Sequence, residues 1–211
     1  MSALIIGSGN NINKDIFESE NINIEYVICA DGGLEKAENL KLVPNIIIGD
    51  LDSVSPLVLK KYTDMNIKVV KYPVEKNYTD MELAVEYALK KGYKDIVLIG
   101  ASGSRLDHTI ANIMLIESYY KQGIKIKIID NNNSVQIVTN NMEIRNKNYF
   151  YVSIVPITDC IEGVTLKGFK YPLSDVNVKR GSTQCISNQI TEQNGSISLR
   201  KGNALVFISR D

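Results

Sequence analysis

Runs rich in isoleucine, valine and leucine at residues 4–7, 26–31, 46–52, 67–72, 96–100 and 124–130 each close on a glycine, a tyrosine or an aspartate. Each is short enough to be one buried strand. Between several of them, apolar residues recur at helical spacing. The clearest case starts at Thr79, where Thr79 and Glu82 predict a capping box ahead of Met81, Ala84, Val85, Ala88 and Leu89, with a stop near Gly92. A second helix is predicted after Asp107, through Ile110, Ile113 and Met114, ending near Gly123. Strands alternating with helices imply right-handed crossovers and an open, largely parallel sheet with flanking helices, an α/β fold.

After Asn131-Asn132-Asn133 the pattern changes. Runs at 135–139, 149–155, 164–167, 197–199 and 204–208 are β-prone, separated by Gly, Asn, Pro and Asp, with no strong helical periodicity. Such spacing predicts an antiparallel β-sandwich or small barrel. Two domains follow, 1–130 and 131–211, and 211 residues suffice to give each a core.

Composition narrows the partners. Lysine and arginine number 24 and aspartate and glutamate 24, so the formal net charge is zero, which removes the usual electrostatic basis for gripping nucleic acid or an anionic membrane. No apolar stretch reaches the ~18 residues a membrane helix requires. The start, Met-Ser-Ala-Leu-Ile-Ile-Gly, has no basic lead and does not read as a secretory signal. Cys29, Cys160 and Cys185 are widely spaced and suggest neither a disulfide framework nor a zinc clip. A cytoplasmic protein is expected.

In an open parallel sheet, ligands collect beyond the carboxyl ends of the strands, and the polar residues fall there. In Gly49-Asp50-Leu51-Asp52-Ser53, an extended exit would point Asp50 and Asp52 the same way. Two like charges held together call for a hard cation, and magnesium suits carboxylates plus phosphates; the alternative is a solvated turn capping the next helix. Asp31-Gly32-Gly33 offers another strand-end carboxylate beside glycines that would admit a ligand, or simply a turn and helix start. Asp80 in the first turn of the capped helix is explained by the helix dipole or by a site. Lys76 can meet a phosphate or be solvated. The loop Gly100-Ala101-Ser102-Gly103-Ser104-Arg105-Leu106-Asp107-His108 exposes backbone N–H groups, a guanidinium and a helix N-terminus, all suited to a polyphosphate, but lacks a Walker ending. His108 is read as a packed or capping residue or as part of that loop's site. Gly7-Ser8-Gly9 resembles the start of a dinucleotide fingerprint without its third glycine. Jointly, Asp31, Asp50, Asp52, Asp80, Arg105 and Asp107 on one predicted edge favour a metal–polyphosphate site.

The ordered set Asp-Gly-Gly, Gly-Asp-Leu-Asp-Ser, Lys-Asn-Tyr-Thr-Asp and Gly-Ser-Arg-Leu-Asp-His resembles the thiamine pyrophosphokinase (thiamine diphosphokinase) family. The likeness continues through residues 163–173 and Ser187-Asn188-Gln189, nearly the whole chain. It implies an ATP-binding α/β domain, a thiamine-binding β-sandwich, and a homodimer with thiamine sites in clefts between subunits. It further implies magnesium held by Asp50, Asp52 and Asp80, and pyrophosphoryl transfer from ATP to thiamine with Arg105 and Asp107 in the same charged site. Asp31, Gly32, Lys76, Thr79, Ser102, Gly103, Arg105 and His108 are implied on the ATP side, with Asp31 near the meeting point of the substrates. Phe169, Tyr171, Ser187 and Asn188 are implied on the thiamine side. The chain departs from the family at Asn77, where Asp is frequent, at Ser104 for Gly and at Gln189 for Glu. The competing expectations are a magnesium-dependent phosphohydrolase with Asp50 as nucleophile, and a non-catalytic thiamine or nucleotide sensor.

Overall fold

The apolar runs of the first part form parallel strands. The structure, a computed structural model, describes residues 2–52, 54–73, 77–147 and 150–211. Contacts divide the chain into two units between Asn131 and Asn132.

In the first unit, β1 (Ser2–Ile6), β2 (Ile24–Ala30), β3 (Ile46–Gly49), β4 (Lys68–Lys71), β5 (Asp95–Ile99) and β6 (Lys125–Ile129) lie in the order β4-β3-β2-β1-β5-β6, and every pair is parallel. The chain steps outward from β1 to β4, then returns to place β5 on the other side of β1. The strand order therefore reverses between β1 and β5, the place where open α/β sheets leave a crevice. Residues 3–6 and 46–48 are fully buried, as expected of strands covered on both faces.

The helices are α1 (Lys14–Ser19), α2 (Gly33–Asn39), α3 (Pro56–Asp64), α4 (Asp80–Lys90) and α5 (Leu106–Tyr120). Leu34 and Ala37 of α2 and Tyr62 of α3 pack on Leu4, Ile6, Cys29 and Ile47 of the strands. α1 and α2 span only six and seven residues, too few to print a 3.6-residue period on the sequence. At α4 the Thr79 hydroxyl accepts a hydrogen bond from Glu82 N at 3.2 Å, the first half of the expected capping box. Thr79→Ala is expected to lower stability by about 1 kcal/mol, read as a reduced urea midpoint at unchanged slope. α5 starts at Leu106, so Asp107 lies within its first turn rather than ahead of it. Among the described residues no helix is long and apolar enough to cross a membrane.

In the second unit, β7 (Asn133–Val138), β13 (Ala204–Ser209) and β9 (Tyr151–Pro156) pair antiparallel in that order. A second antiparallel sheet runs β11 (Leu173–Lys179), β10 (Cys160–Lys167), β12 (Asn194–Ser198), β8 (Asn141–Arg145). Val138, Ile154 and Val206 of one sheet share a core with Ile144, Ile161, Leu166 and Ile197 of the other, so the unit is a sandwich. Two of its strands, β8 and β11, are absent from the sequence reading. Each buries a single side chain, Ile144 and Val178; β8 alternates but spans only five residues, and β11 loses its alternation at Asp175. Of the expected strand 149–155, Tyr149 lies outside the described residues.

Candidate functional site

Two features sit at the carboxyl ends of the parallel strands. The first is acidic. Asp31 follows β2 and its N–H donates to Ile48 O of β3 at 2.8 Å, which brings the two strand ends together. Gly49 takes φ +147°, and a Cβ there would stand 3.2 Å from the Asp31 backbone and Cβ. A side chain at this position would crowd the carboxylate, so glycine is required for close approach.

Asp31, Asp50 and Asp52 each place a carboxylate oxygen within 4.8 Å of the others. The route differs from the extended exit expected from sequence. Leu51 is left-handed at φ +65°, and Asp52 N donates to Asp50 Oδ1 at 3.2 Å, so a tight turn delivers both carboxylates to one place. Asp31 is left-handed too, at φ +50°. Non-glycine residues in this conformation concentrate where function maintains it.

Magnesium ligated at about 2.0–2.1 Å sets neighbouring oxygens roughly 3–4 Å apart, so small side-chain rotations would bring these three onto one ion. The donor set is all oxygen and all anionic, which suits a hard cation. Of the expected trio of Asp50, Asp52 and Asp80, the first two lie in this cluster, together with Asp31. Asp80, half-buried, occupies the first turn of α4, where it complements the helix dipole. Ser53 and Lys76 lie outside the described residues.

The second feature is a cleft of about 220 Å³ at the β1/β5 switch, between Ser8-Gly9 on one side and residues 100–105 on the other, with His108 and Thr109 at its edge. The two loops continue the strand pairing. Gly7 N donates to Ile99 O, Gly9 N to Gly100 O and Asn10 N to Ser102 O, at 2.7–2.8 Å. A Cβ on Gly9 would lie 2.2 Å from Ser102 O. Gly7 and Gly9, which resemble a broken dinucleotide fingerprint in the sequence, are needed here for backbone-to-backbone packing. Gly33, by contrast, faces Ile6 O, which a Cβ would approach to 1.9 Å, so it serves the junction of α2 with β1 rather than admitting a ligand. Ser102, Gly103 and Ser104 line the cleft, and Gly103 N donates to the Thr109 hydroxyl. Asn112, buried on α5, donates to Ala101 O at 2.7 Å, a support the sequence reading did not single out.

Arg105 is the N-cap of α5, and its guanidinium forks onto Asp107 through Nε (3.2 Å) and Nη2 (2.6 Å). That hydrogen bond, with help from the His108 backbone N–H, holds the Asp107 carboxyl down from 3.8 to about 2, and the same bond raises Arg105. The pair's contribution is therefore present above the ordinary carboxyl value and is lost as pH falls through about 2. Both side chains are largely exposed, so their attraction is screened by salt. His108 is exposed at the cleft rather than packed.

In the second unit the four residues expected near thiamine separate by depth. Phe169 is 5% exposed and belongs to the sandwich core, with its ring against Gly195. Asn188, equally buried, donates through Nδ2 to Tyr171 O (2.8 Å) and accepts from Tyr171 N through Oδ1 (3.1 Å). Its amide therefore anchors the Tyr171 backbone. Tyr171 is 60% exposed, and Ser187, left-handed at φ +57° with its N–H donating to Ser153 Oγ, is also at the surface. A surface Tyr171 and Ser187, held by a buried Asn188, make a candidate recognition patch.

The model of the thiamin pyrophosphokinase catalytic domain matches residues 17–128, and that of the thiamin pyrophosphokinase vitamin B1 binding domain matches residues 139–203. The chain belongs to the thiamine pyrophosphokinase family. A thiamine pyrophosphokinase of Bacillus subtilis (strain 168) is 33% identical over 186 residues, 87% of each chain. A crystal structure of thiamine pyrophosphokinase from Bacillus subtilis superposes with a TM-score of 0.91 at 29% identity, covering all of both chains. One from Geobacillus thermodenitrificans gives 0.86 at 29%, covering 100% of this chain and 98% of that one. The match to the thiamin pyrophosphokinase catalytic domain takes in the acidic cluster and the 100–105 loop, while Gly7-Ser8-Gly9 precedes it. The vitamin B1 binding match takes in Tyr171, Ser187 and Asn188.

Proposed function

We propose that this member of the thiamine pyrophosphokinase family transfers the pyrophosphoryl group of ATP to the primary hydroxyl of thiamine, giving thiamine diphosphate and AMP. The observation that carries the reading is the carboxylate trio at the β2 and β3 ends on the same sheet edge as a cleft at the β1/β5 switch lined by small residues and Arg105. The first unit takes ATP and the second takes thiamine. In the reaction, the thiamine oxygen forms a bond to the β-phosphorus, the bond from that phosphorus to the oxygen bridging the α-phosphate breaks, and AMP leaves with the electron pair.

Magnesium, when bound, neutralises phosphate oxygens and fixes their orientation. Asp31, Asp50 and Asp52 would hold it, with Asp80 at the helix terminus facing the same chemistry. Backbone N–H groups of residues 100–105 cradle the phosphates, and Arg105 meets the charge that develops on the leaving phosphate. The hydroxyl proton is lost late if the transition state is loose. Asp80 or Asp107 accepts it. Tyr171 and Ser187 contact thiamine, and Phe169 and Asn188 support them from beneath. The reading includes a homodimer with thiamine sites in clefts between subunits, acting in the cytoplasm, where the free Cys29, Cys160 and Cys185 stay reduced.

Incubation with ATP, magnesium and thiamine, followed by separation of products, tests the reading. AMP and thiamine diphosphate are expected in equal amounts. Orthophosphate released without thiamine would replace it with hydrolysis, and binding without turnover would replace it with a sensor.

A further inference from the structure

Asp130 and Asn131 follow β6, the strand beside β5, and lie outside every motif that the proposed reaction uses. Yet each holds one wall of the cleft. Ser102 Oγ donates to Asp130 Oδ2 at 2.8 Å, tying down the loop that leaves β5. Asn131 reaches the loop that leaves β1 twice: its Nδ2 donates to Asn11 O at 3.0 Å, and its Oδ1 accepts from Asn13 N at 2.6 Å. The two walls also bond each other through Asn10 N and Ser102 O at 2.7 Å. Two consecutive residues at one strand end thus tie down both loops that supply lining residues to the cleft.

We propose that Asp130 and Asn131 are positioning residues for nucleotide binding, acting through Ser102 and through the Asn11–Asn13 backbone without touching the reacting atoms. The proposal rests on the assignment of the cleft to ATP. A preorganised loop meets the phosphates without first being ordered, so loosening it weakens binding and leaves the chemical step alone. Hydrogen bonds of this kind translate into affinity changes of about fivefold.

The test is kinetic and calorimetric, on the full chain. Asp130→Ala and Asn131→Ala are each expected to raise the KM for ATP about fivefold, with kcat and the KM for thiamine within about twofold. Asp130→Asn keeps an oxygen to accept from Ser102 and is expected to restore the ATP KM. Ser102→Ala removes the same bond from its other end, so adding Asp130→Ala to it is expected to cost little more. An unchanged ATP KM in a folded Asp130→Ala chain overturns the proposal, as does a uniform loss in kcat and both KM values alongside a lowered melting temperature. Titration with MgATP in the absence of thiamine separates this inference from the function on which it rests. If the native chain binds MgATP, the variants bind it more weakly and no thiamine diphosphate forms, the positioning role stands and the proposed reaction falls. If native and variant chains bind MgATP equally, the positioning role alone falls. If the native chain binds no nucleotide, both fall.

Discussion

Asp52→Asn is expected to lower turnover by about a hundredfold or more at saturating magnesium, while leaving the fold intact. Three carboxylates with oxygens within 4.8 Å of one another repel in the absence of a cation, by an amount between about 1 kcal/mol per pair in water and about 4 at a partly screened surface. Removing one charge relieves that repulsion, so the melting temperature without magnesium should hold or rise. With magnesium added, the native chain should gain stability in proportion to the logarithm of ion concentration over its dissociation constant, and the variant should lose most of that gain. The turn itself survives, because it uses the Asp52 N–H and Asp50 Oδ1, which the substitution retains. A folded Asp52→Asn chain with native turnover would remove Asp52 from the cation site.

The second large effect is expected at Gly100. It has φ +61°, and a Cβ would stand 2.3 Å from Gly7 O and 2.9 Å from Gly7 C. Neither contact can be relieved by a side-chain rotation, since both partners are backbone. Gly100→Ala is expected to cost about 3 kcal/mol or more in urea unfolding, from the left-handed penalty and the forced separation of the β1 and β5 loops. Because Gly9 N donates to Gly100 O, the same shift opens the cleft, so the ATP KM rises as stability falls. Gly92→Ala supplies the control: its φ is also positive, at +91°, but nothing lies within 4 Å of its Cβ. Only the conformational penalty of about 1 kcal/mol is expected there. Equal losses at the two sites would show that the packing of the loops contributes nothing.

Much of the fold is legible in local pattern because buried parallel strands are continuous apolar runs and α4 carries both a cap and a 3.6-residue stripe. The strands β8 and β11 are not legible. Each has one buried side chain; β8 alternates over only five residues, and β11 pairs with β10 through register shifts near Val164, with Asp175 left-handed inside the strand, so its period of two is broken. The candidate site divides the same way. Acid pairs and glycines at strand ends are visible residue by residue, and the family resemblance orders them. Their grouping is another matter: Asp31 joins Asp50 and Asp52 because β2 and β3 are adjacent and Gly49 has no side chain, a fact of strand order and backbone angle. Likewise the family resemblance implies Phe169, Tyr171 and Asn188 on the thiamine side alike, whereas the structure buries Phe169 and Asn188 and exposes Tyr171, since only packing decides which of two neighbouring aromatic residues faces outward.

Local sequence therefore determined the parallel strands, the capped α4, the change from α/β to all-β near residue 131 and the acidic and glycine-rich strand ends, since these follow from periodicity and side-chain chemistry over a few residues. Tertiary structure alone decided the placement of β5 beside β1, which makes Gly7-Ser8-Gly9 one wall of a cleft and brings Asp130 and Asn131 to its loops. Such contacts join residues from 28 to 120 positions apart, and no short-range pattern encodes which strand will lie next to which.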